Sequence, residues 1–381
     1  MLLIGYDNRG NGVFQSASED ISDNLHRMYL GGSGCGKSST MQLHMNDAFH
    51  QGISSVIIDT SGSYTAPNIH LAFADVLGEN LVRRIVYQEG LGIDPLKRHK
   101  NSLKVIEKDS DVADRFSDIV AKTLGMGYSQ RARLYGASMK YYDEGMVPLN
   151  SENEYFAKLS YSYGKVKKDF HLLQYCLAEY YDDISRSVLD KTASLIDKDI
   201  FTGKAVDWNQ ILYCEPTVTI FDLSGFSDHI QRLIMEFLLW DFWFYTMSFG
   251  AKEKPFIAVF DECQNLNQKK NSPIAKILTE GRKFGWSCWL GTQFLGEQFE
   301  PDEIRRLQQA ALQLYFRPAS SDIKSISKAV GNDIHQNECI LESLRQRECL
   351  VKGTYLTEAG NIVKNTVIKI LIPLMNRESL K

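Results

Sequence analysis

A glycine-rich run near the amino terminus constrains the fold of this chain more than any other feature. The run Gly31-Gly32-Ser33-Gly34-Cys35-Gly36-Lys37-Ser38 follows the short apolar segment His26 to Leu30 and leads into the start of a helix. Glycines allow consecutive backbone N–H groups to converge on one point, and a helix that begins there directs its positive end at the same point. The run therefore predicts a phosphate-binding loop between a strand and a helix. The alternative is a glycine-rich loop with a surface lysine.

The residues of this loop would do different things for a bound triphosphate. Lys37 would reach the β- and γ-phosphates. The hydroxyl of Ser38 would coordinate Mg²⁺, which usually keeps several waters and takes few protein ligands. ATP and Mg²⁺ are therefore the expected ligands. The residues expected to bind ATP are Gly32, Ser33, Gly34, Cys35, Gly36, Lys37, Ser38 and Ser39.

A second apolar strand ends in two carboxylates. The segment Pro255 to Phe260 is followed by Asp261 and Glu262. In a parallel sheet next to a phosphate-binding loop, Asp261 can hold the water shell of magnesium and Glu262 can polarise the attacking water. Apolar strands that end in Asp-Glu also precede ordinary loops, so this assignment depends on the glycine-rich run.

Two more residues extend the predicted catalytic set. Gln293 follows the strand-like segment Trp289 to Thr292, where its amide can hydrogen-bond both the γ-phosphate and water and so sense the nucleotide state. The alternative is an amide that only caps the strand. Arg282 lies in the run Thr279 to Gly285, and its planar guanidinium suits charge on a transferred phosphoryl group, particularly across a subunit boundary. The alternative for Arg282 is a solvated helix end.

Several apolar runs predict an α/β fold with a mainly parallel sheet. Each run ends next to Gly, Asp or Ser, at the edge where open α/β sheets bind their ligands. We expect a closing β-hairpin within Cys349 to Leu374, with its turn near Gly353 or Gly360. The predicted buried strands are His26 to Leu30, Ser55 to Asp59, Thr217 to Leu223, Pro255 to Asp261 and Ser287 to Gly291.

The pattern changes to helical spacing between residues 98 and 205. Apolar residues recur there three and four positions apart. We therefore predict three segments: 1–97 and 206–381 as two parts of an α/β core, and 98–205 as an inserted all-helical subdomain. The apolar residues with this spacing are Val112, Phe116, Ile119, Val120, Phe170, Leu173, Leu177 and Tyr180.

Composition limits the partners and the compartment. The formal net charge of -4 gives no global basic field, so a nucleic acid would have to bind locally, in a groove or a ring lumen. Seven scattered cysteines without a Cys-x-x-Cys pair argue against structural zinc and against a disulfide framework, and they indicate a reducing, cytoplasmic compartment. The aromatic stretch Leu233 to Phe249 contains Glu236 and Asp241, so it predicts a buried or interface helix and no direct membrane insertion.

Five segments together resemble the HerA/FtsK superfamily of motor ATPases, which includes the conjugation and type IV secretion ATPases. The most specific is the run from Glu280, in which Glu-Gly-Arg-Lys-Phe-Gly is followed by Thr-Gln. The resemblance covers the sheet domain, about residues 24–97 and 206–375. The segments are Gly31 to Thr40, Val56 to Tyr64, Ile220 to Gly225, Val259 to Glu262 with Gln264, and Glu280 to Gln293.

The resemblance implies a RecA-like fold, a hexameric ring with ATP between subunits, and double-stranded DNA in the ring lumen. A ring needs head-to-tail contacts, which would bring Arg282 of one subunit to the nucleotide of the next. Ser63 departs from the family pattern, because it stands where many members carry an acidic residue. The roughly 25 residues before the first core strand are expected to be too few for the N-terminal β-barrel of HerA proteins or a membrane anchor, so assembly or targeting would come from elsewhere.

The function that these features favour is an ATP-driven double-stranded DNA translocase. It would work with a partner such as a nuclease, or with DNA-transfer or packaging machinery. The alternatives are a protein-export ATPase of the type IV secretion kind and a nucleotide-gated scaffold for a partner effector enzyme. Candidate contacts for DNA, with solvated surface charge as the alternative, are Lys165, Lys167, Lys168, Lys269, Lys270, Arg305 and Arg306.

Overall fold

The computed structural model describes residues 1–16, 24–100, 103–143, 177, 180, 182–198, 200–296, 298–331 and 333–376. The chain divides into two units. Unit 1 comprises Met1–Ile85, Asp207–Ser224 and Phe249–Lys381, and unit 2 comprises Val86–Val206 and Gly225–Ser248. The second segment of unit 2 lies outside the range 98–205 that helical spacing marked as an insertion.

The strands of the described residues form one eleven-stranded sheet in unit 1. Their spatial order is β11-β1-β2-β10-β9-β3-β8-β7-β4-β6-β5. The strands are β1 Leu2–Tyr6, β2 Gly12–Gln15, β3 Arg27–Leu30, β4 Ser55–Asp59, β5 Leu81–Ile85, β6 Val218–Asp222, β7 Phe256–Phe260, β8 Trp286–Thr292, β9 Leu312–Tyr315, β10 Glu348–Thr357 and β11 Ile362–Leu371.

Helices in the described residues belong to both units. Unit 1 has α1 Lys37–His50, α2 Leu71–Leu77, α8 Pro273–Glu280, α9 Pro301–Leu307, α10 Ile323–Val330 and α11 Ile334–Ser343. Unit 2 has α3 Val86–Glu89, α4 Asp109–Thr123, α5 Tyr128–Asp143 and α6 Asp183–Asp197, and it contains nearly all of α7 Asp228–Phe249.

The parallel half of the sheet runs from β9 to β5. Every neighbouring pair in the order β9-β3-β8-β7-β4-β6-β5 is parallel. The five predicted apolar runs form β3, β4, β6, β7 and β8, and all residues of these strands are buried. Parallel strands covered on both faces need such continuous apolar sequence. The predicted α/β fold with a mainly parallel sheet is confirmed.

The antiparallel half closes on itself. β1 pairs with β2, β2 with β10, β10 with β11, and β11 with β1, all antiparallel. The expected hairpin is present as β10 and β11, and its turn contains Gly360. Gly353 instead lies within β10, at the point where β10 stops pairing with β9 and a bulge begins. The strands β1 and β2 were not predicted from the sequence.

Buried polar contacts join the amino-terminal hairpin to the core of unit 1. Arg27 of β3 is fully buried, its guanidinium lies 4.5 Å from the ring centroid of Trp289, and its Nε donates to Gln15 Oε1 of β2 at 2.6 Å. His44 of α1 contacts Tyr29 Oη and the Ile4 carbonyl oxygen, each at 2.9 Å. These contacts fix β1 and β2 against the helix that follows the glycine-rich run.

Unit 2 is helical in its described part. Val112, Phe116, Ile119 and Val120 are the buried face of α4, as their spacing predicts. Phe237 of α7 packs against Phe116, with 5.6 Å between ring centroids. The predicted buried helix at Leu233 to Phe249 is therefore confirmed, apart from the exposed Phe249.

Phe170 and Leu173 lie outside the described residues, as do Lys165, Lys167 and Lys168. None of the helices in the described ranges combines the length and apolar character that crossing a membrane requires.

We expect Gly353→Ala to destabilise the protein much more than Gly360→Ala. Both glycines have positive φ, 143° and 78°, so both substitutions add backbone strain. A Cβ at Gly353 would also overlap the Ala311 carbonyl oxygen, whereas Gly360 has open space around it. Gly360→Ala should lower the free energy of unfolding by about 1 kcal/mol, and Gly353→Ala by about 3 kcal/mol or more. Urea denaturation measures both, and equal losses would contradict the close packing at β10.

Candidate active site

The parallel strands deliver the predicted site residues to one edge of unit 1. β3 lies between β8 and β9, and Leu30 is in register with both Thr292 and Tyr315. Carboxyl ends of parallel strands meet at one edge, where α/β proteins bind ligands. The glycine-rich loop follows β3, Asp261 and Glu262 follow β7, and Gln293 follows β8. The predicted strand, loop and helix order around the loop is present.

Backbone hydrogen bonds continue from the sheet into the loop. Gly31 N donates to Thr292 O at 3.3 Å, and Gly32 N donates to Arg317 O at 2.9 Å. A Cβ at Gly31 would lie 2.6 Å from Phe316 Cβ, so the packing of the loop on β9 requires glycine there. The loop is thus fixed on both sides by its neighbours in the sheet.

Two glycines shape the rest of the loop. Gly34 and Gly36 have φ values of 73° and 102°, which other residues rarely adopt. Gly36 directly precedes α1. Cys35, between Gly34 and Gly36, is half-buried. Burial raises the pKa of the Cys35 thiol. Ser33, Gly34 and Ser39 are exposed, so the loop and the start of α1 are accessible to a ligand.

Lys37 is held against the loop. Its side chain is buried, and its Nζ donates to the carbonyl oxygens of Gly31 at 2.7 Å and Gly32 at 3.1 Å. An ammonium in this place lies beside the N–H groups of the loop and the first turn of α1. Both the charge and the backbone donors suit an anion of high charge density, such as a polyphosphate.

Ser38 and Asp261 form a direct pair. Ser38 Oγ donates to Asp261 Oδ2 at 2.5 Å, and Asp261 is buried. Burial raises the pKa of Asp261, against the opposing effect of this hydrogen bond. Glycine at 291 leaves room for the carboxylate, because a Cβ there would lie 2.6 Å from Asp261 Oδ1.

A hydroxyl and a carboxylate in contact are oxygen ligands of the kind that Mg²⁺ takes. In the described part of the chain, no group of three or more His, Cys, Asp or Glu side chains is placed to hold a metal ion. Mg²⁺ at Ser38 and Asp261 would therefore take its remaining ligands from substrate oxygens and water. The residues present fit this ion.

Two amides hold Glu262. Gln293 Nε2 donates to Glu262 Oε1 at 2.8 Å, and Gln264 Nε2 donates to Glu262 Oε2. Thr292 Oγ1 in turn donates to Gln264 Oε1 at 3.1 Å. Glu262 has a φ of 71°, a conformation that is uncommon outside glycine and that occurs at functional sites. The amide of Gln293 therefore contacts the predicted water-polarising carboxylate.

Gln264 and Asp59 have contacts that sequence reasoning missed. Gln264 lies on the 3₁₀ turn Cys263–Asn265, which directs it back to Glu262. Asp59 ends β4, and its buried carboxylate accepts backbone N–H groups from Gly62 at 2.9 Å and Tyr64 at 2.8 Å. Burial raises the pKa of Asp59, while these hydrogen bonds oppose that change. The sequence signal was an Asp at a strand end followed by a Ser-Gly-Ser turn.

Ser63 occupies the position where the resemblance leads one to expect an acidic residue. Its Oγ lies 2.7 Å from Ser61 Oγ, and its N–H donates to Asp59 Oδ1 at 3.2 Å. The side chain is thus engaged within its own turn. The negative charge of this turn comes from Asp59 alone.

Arg282 is not brought to the other site residues within one chain. It is exposed on the 3₁₀ turn Gly281–Phe284, which precedes β8. Gln293 follows the opposite end of β8, and a seven-residue strand spans about 20 Å. A contact between Arg282 and a nucleotide at the loop would need a second subunit.

Comparison with known proteins identifies the fold. No protein-family model matches the chain, and no curated protein matches it in sequence. Among solved structures, VirB4 of Thermoanaerobacter pseudethanolicus is 17% identical with a TM-score of 0.71, over 100% of this chain and 98% of that chain. The chain has the fold of VirB4.

The conjugative coupling protein TrwB has the same fold. Its unbound form is 13% identical with a TM-score of 0.59, covering 96% of this chain and 89% of that chain. A TrwB structure with ADP and Mg²⁺ is 13% identical with a TM-score of 0.57, covering 92% and 86%. Such low identities establish the fold alone. At that level the predicted RecA-like fold is confirmed.

We expect Asp261→Asn to stabilise the protein at neutral pH. The raised pKa of Asp261 means that its ionisation costs folding free energy, and this cost is present above the folded pKa and disappears as the pH falls below the usual aspartate range. The gain in free energy of unfolding should therefore shrink at acidic pH. Urea denaturation at both pH values measures it.

Asp222→Asn is the matched control with the opposite sign. Although burial opposes it, hydrogen bonds from Ser224 and Arg83 lower the pKa of Asp222. Its stabilising effect is present above the usual aspartate pKa and is lost as the pH falls through the folded value. Asp222→Asn should thus destabilise the protein at neutral pH. Changes of the same sign in both variants would contradict the assigned environments.

Proposed function

We propose that this protein is an ATPase that uses hydrolysis to move double-stranded DNA. The observation that carries the proposal is the assembly of Lys37, the Ser38–Asp261 pair and the Glu262–Gln293 pair at one sheet edge. These pairs supply the parts that phosphoryl transfer to water needs: phosphate binding, metal coordination and orientation of the nucleophile.

Each group has a separate role in this proposal. Lys37 and the loop N–H groups bind the β- and γ-phosphates. Mg²⁺ held by Ser38 and Asp261 would neutralise phosphate charge. Glu262 accepts a hydrogen bond from the attacking water and polarises it, and Gln293, which contacts Glu262, connects that carboxylate to the γ-phosphate. The phosphate site does not depend on side chains alone, because backbone hydrogen bonds fix the loop.

The ATP-binding set is the loop itself. We propose that the nucleotide is bound by consecutive residues between β3 and the first turn of α1, namely Gly32, Ser33, Gly34, Cys35, Gly36, Lys37, Ser38 and Ser39. The TrwB structure with ADP and Mg²⁺ supports nucleotide and magnesium as the ligands of this fold.

A ring explains where Arg282 lies. Head-to-tail contacts repeat one interface around a closed assembly and place one edge of a subunit against the opposite edge of the next. Arg282, about 20 Å from Gln293 along β8, could then reach the neighbour's nucleotide. We therefore propose a homo-oligomer, most simply a hexameric ring, in which Arg282 acts in trans.

Lys269 and Lys270 are the best-placed described candidates for DNA contacts. Both are exposed and their side chains have no ion pair in the described part of the chain. Their loop is anchored near Glu262, because Gln268 Nε2 donates to Cys263 O at 3.2 Å. Arg305 is a weaker candidate, since it is paired with Asp302. Because this loop is hydrogen-bonded to the turn after Glu262, it can couple ATP hydrolysis to movement of a bound polymer.

The biological setting is also part of the proposal. The polymer motor would serve a partner such as a nuclease or DNA-transfer or packaging machinery. The described cysteines are free thiols, which supports a reducing cytoplasm. A protein-export motor of the type IV secretion kind is the second candidate, because the VirB4 fold is equally compatible with it.

Duplex DNA should stimulate ATP hydrolysis, and the stimulation should fall as salt rises, because phosphate contacts release counterions.

Glu262→Gln should keep ATP binding but lose hydrolysis. Lys37→Ala should lose turnover because it removes the positive charge that binds the phosphates. A coupled ATPase assay and equilibrium binding measure both. Equal loss of ATP binding in the two variants would reject the role of Glu262. Hydrolysis that DNA does not stimulate but that a secreted protein does would favour the protein-export motor.

Arg282→Ala should bind ATP and assemble but hydrolyse slowly. An arginine supplied in trans contributes about 10³- to 10⁵-fold in rate, or about 4 to 7 kcal/mol of transition-state stabilisation. Mixing Arg282→Ala with Glu262→Gln should restore part of the activity, because some interfaces then combine an intact Glu262 with an intact Arg282.

Lys283→Ala is the control for this mixing experiment. Lys283 is the neighbouring exposed cation on the same 3₁₀ turn, so its loss changes the charge equally without removing the guanidinium. Lys283→Ala should keep most of the activity. Full activity of Arg282→Ala alone would remove the trans assignment.

A further inference from the structure

The sheet places a second arginine next to the glycine-rich loop, within the same chain. Arg317 comes two residues after β9, the strand that flanks β3 on the side opposite β8. The parallel ladder continues beyond both strands: Phe316 N donates to Leu30 O at 2.7 Å, and Gly32 N donates to Arg317 O at 2.9 Å. Arg317 is therefore the neighbour of Gly32 in the sheet.

The backbone around Arg317 is held close to the loop. A Cβ at Gly32 would lie 3.5 Å from Arg317 O and 3.5 Å from Ala319 N. Pro318 follows Arg317 and restricts it to extended backbone, which keeps the ladder in register. Neighbouring strands lie about 4.8 Å apart, a distance shorter than an extended arginine side chain.

The guanidinium of Arg317 is available for a ligand. Its side chain is exposed and makes no hydrogen bond or ion pair with the residues that the structure describes. Lys37, by contrast, is buried and donates to the Gly31 and Gly32 carbonyl oxygens. The loop thus has one enclosed cation, Lys37, and one exposed cation, Arg317, on the neighbouring strand extension.

We propose that Arg317 binds the phosphates of the nucleotide in cis, as a second cation beside Lys37. The inference rests on the proposed ATPase function and deepens it by adding a phosphate ligand from β9. A guanidinium presents several donors in a plane and binds phosphate oxygens in a bidentate manner. It differs from Arg282, which could reach a nucleotide only from another subunit.

Substitution of Arg317 removes the contribution of the side chain and keeps that of the backbone. Any residue at this position keeps the carbonyl oxygen that accepts from Gly32 N, so the loop keeps its anchor. Arg317→Ala should weaken binding of a non-hydrolysable ATP analogue with Mg²⁺ about tenfold, which corresponds to about 1.4 kcal/mol. Arg317→Lys should recover part of the affinity, and the salt dependence of binding should be smaller in Arg317→Ala than in the wild type.

The measurement is equilibrium binding of ADP and of the ATP analogue to the full chain, diluted until it is monomeric. Lys328→Ala is the control, because Lys328 is an exposed cation on α10 and its loss changes the charge equally. That variant should bind as the wild type does. Thermal unfolding of each variant checks that the fold is kept.

Four results would overturn the inference. If the wild type binds both nucleotides and Arg317→Ala binds them equally well, the phosphate-binding role of Arg317 is rejected. The proposed function is then unaffected. An equal loss in Lys328→Ala would show a general charge effect. A loss that appears only when subunits assemble would assign Arg317 to a neighbouring site. Failure of the wild type to bind either nucleotide would overturn the proposed function itself, and this inference with it.

Discussion

The position of β3 between β8 and β9 is the constraint on which the candidate site depends. Leu30 is in register with Thr292 on one side and Tyr315 on the other, and the hydrogen bonds continue into Gly31 and Gly32. The loop is therefore positioned by backbone contacts, and the close packing of Gly31 against Phe316 requires glycine at that point. The same contacts bring the residues that follow β8 and β9 within one strand spacing of the loop. Binding and catalytic groups can then be supplied by neighbouring strands without any long, mobile connection.

Buried carboxylates give this edge its chemistry and reduce its stability. Asp261 and Asp59 are both buried, and burial raises the pKa of each. Hydrogen bonds offset part of this cost: Ser38 donates to Asp261, and the turn after β4 donates backbone N–H groups to Asp59. Perturbed carboxylates gathered at strand ends are typical of functional sites. A positive charge brought by Mg²⁺ would lower the cost of ionising Asp261, so metal binding and the ionised state of this group would favour one another.

The sequence predicted those parts of the structure that local pattern encodes. The continuous apolar runs became β3, β4, β6, β7 and β8. Parallel strands end at one edge, which brings together the motif residues Lys37, Ser38, Asp261, Glu262 and Gln293.

β5 was missed because it is a partly exposed edge strand that contains two arginines. β1 and β2 were missed because their pairing with β10 and β11 is a long-range contact that no local periodicity shows. The turn at Gly360 could not be distinguished from Gly353, whose positive φ belongs to a change of partners within β10. The hydrogen bonds of Gln264 and Asp59 depend on turn conformation, which residue types alone leave open.

Arg317 and Arg282 lie at opposite ends of the parallel strands, and this difference separates two sources of charge. Arg317 follows the carboxyl end of β9, beside Gly32, whereas Arg282 precedes the amino end of β8. Only the first can act within one chain, because the strand length keeps the second about 20 Å from the site. Nucleotide affinity would then be a property of the single subunit, while rapid hydrolysis would require assembly. Such a division is physically useful for a motor, since a subunit that binds ATP but waits for its neighbour cannot spend ATP outside the ring.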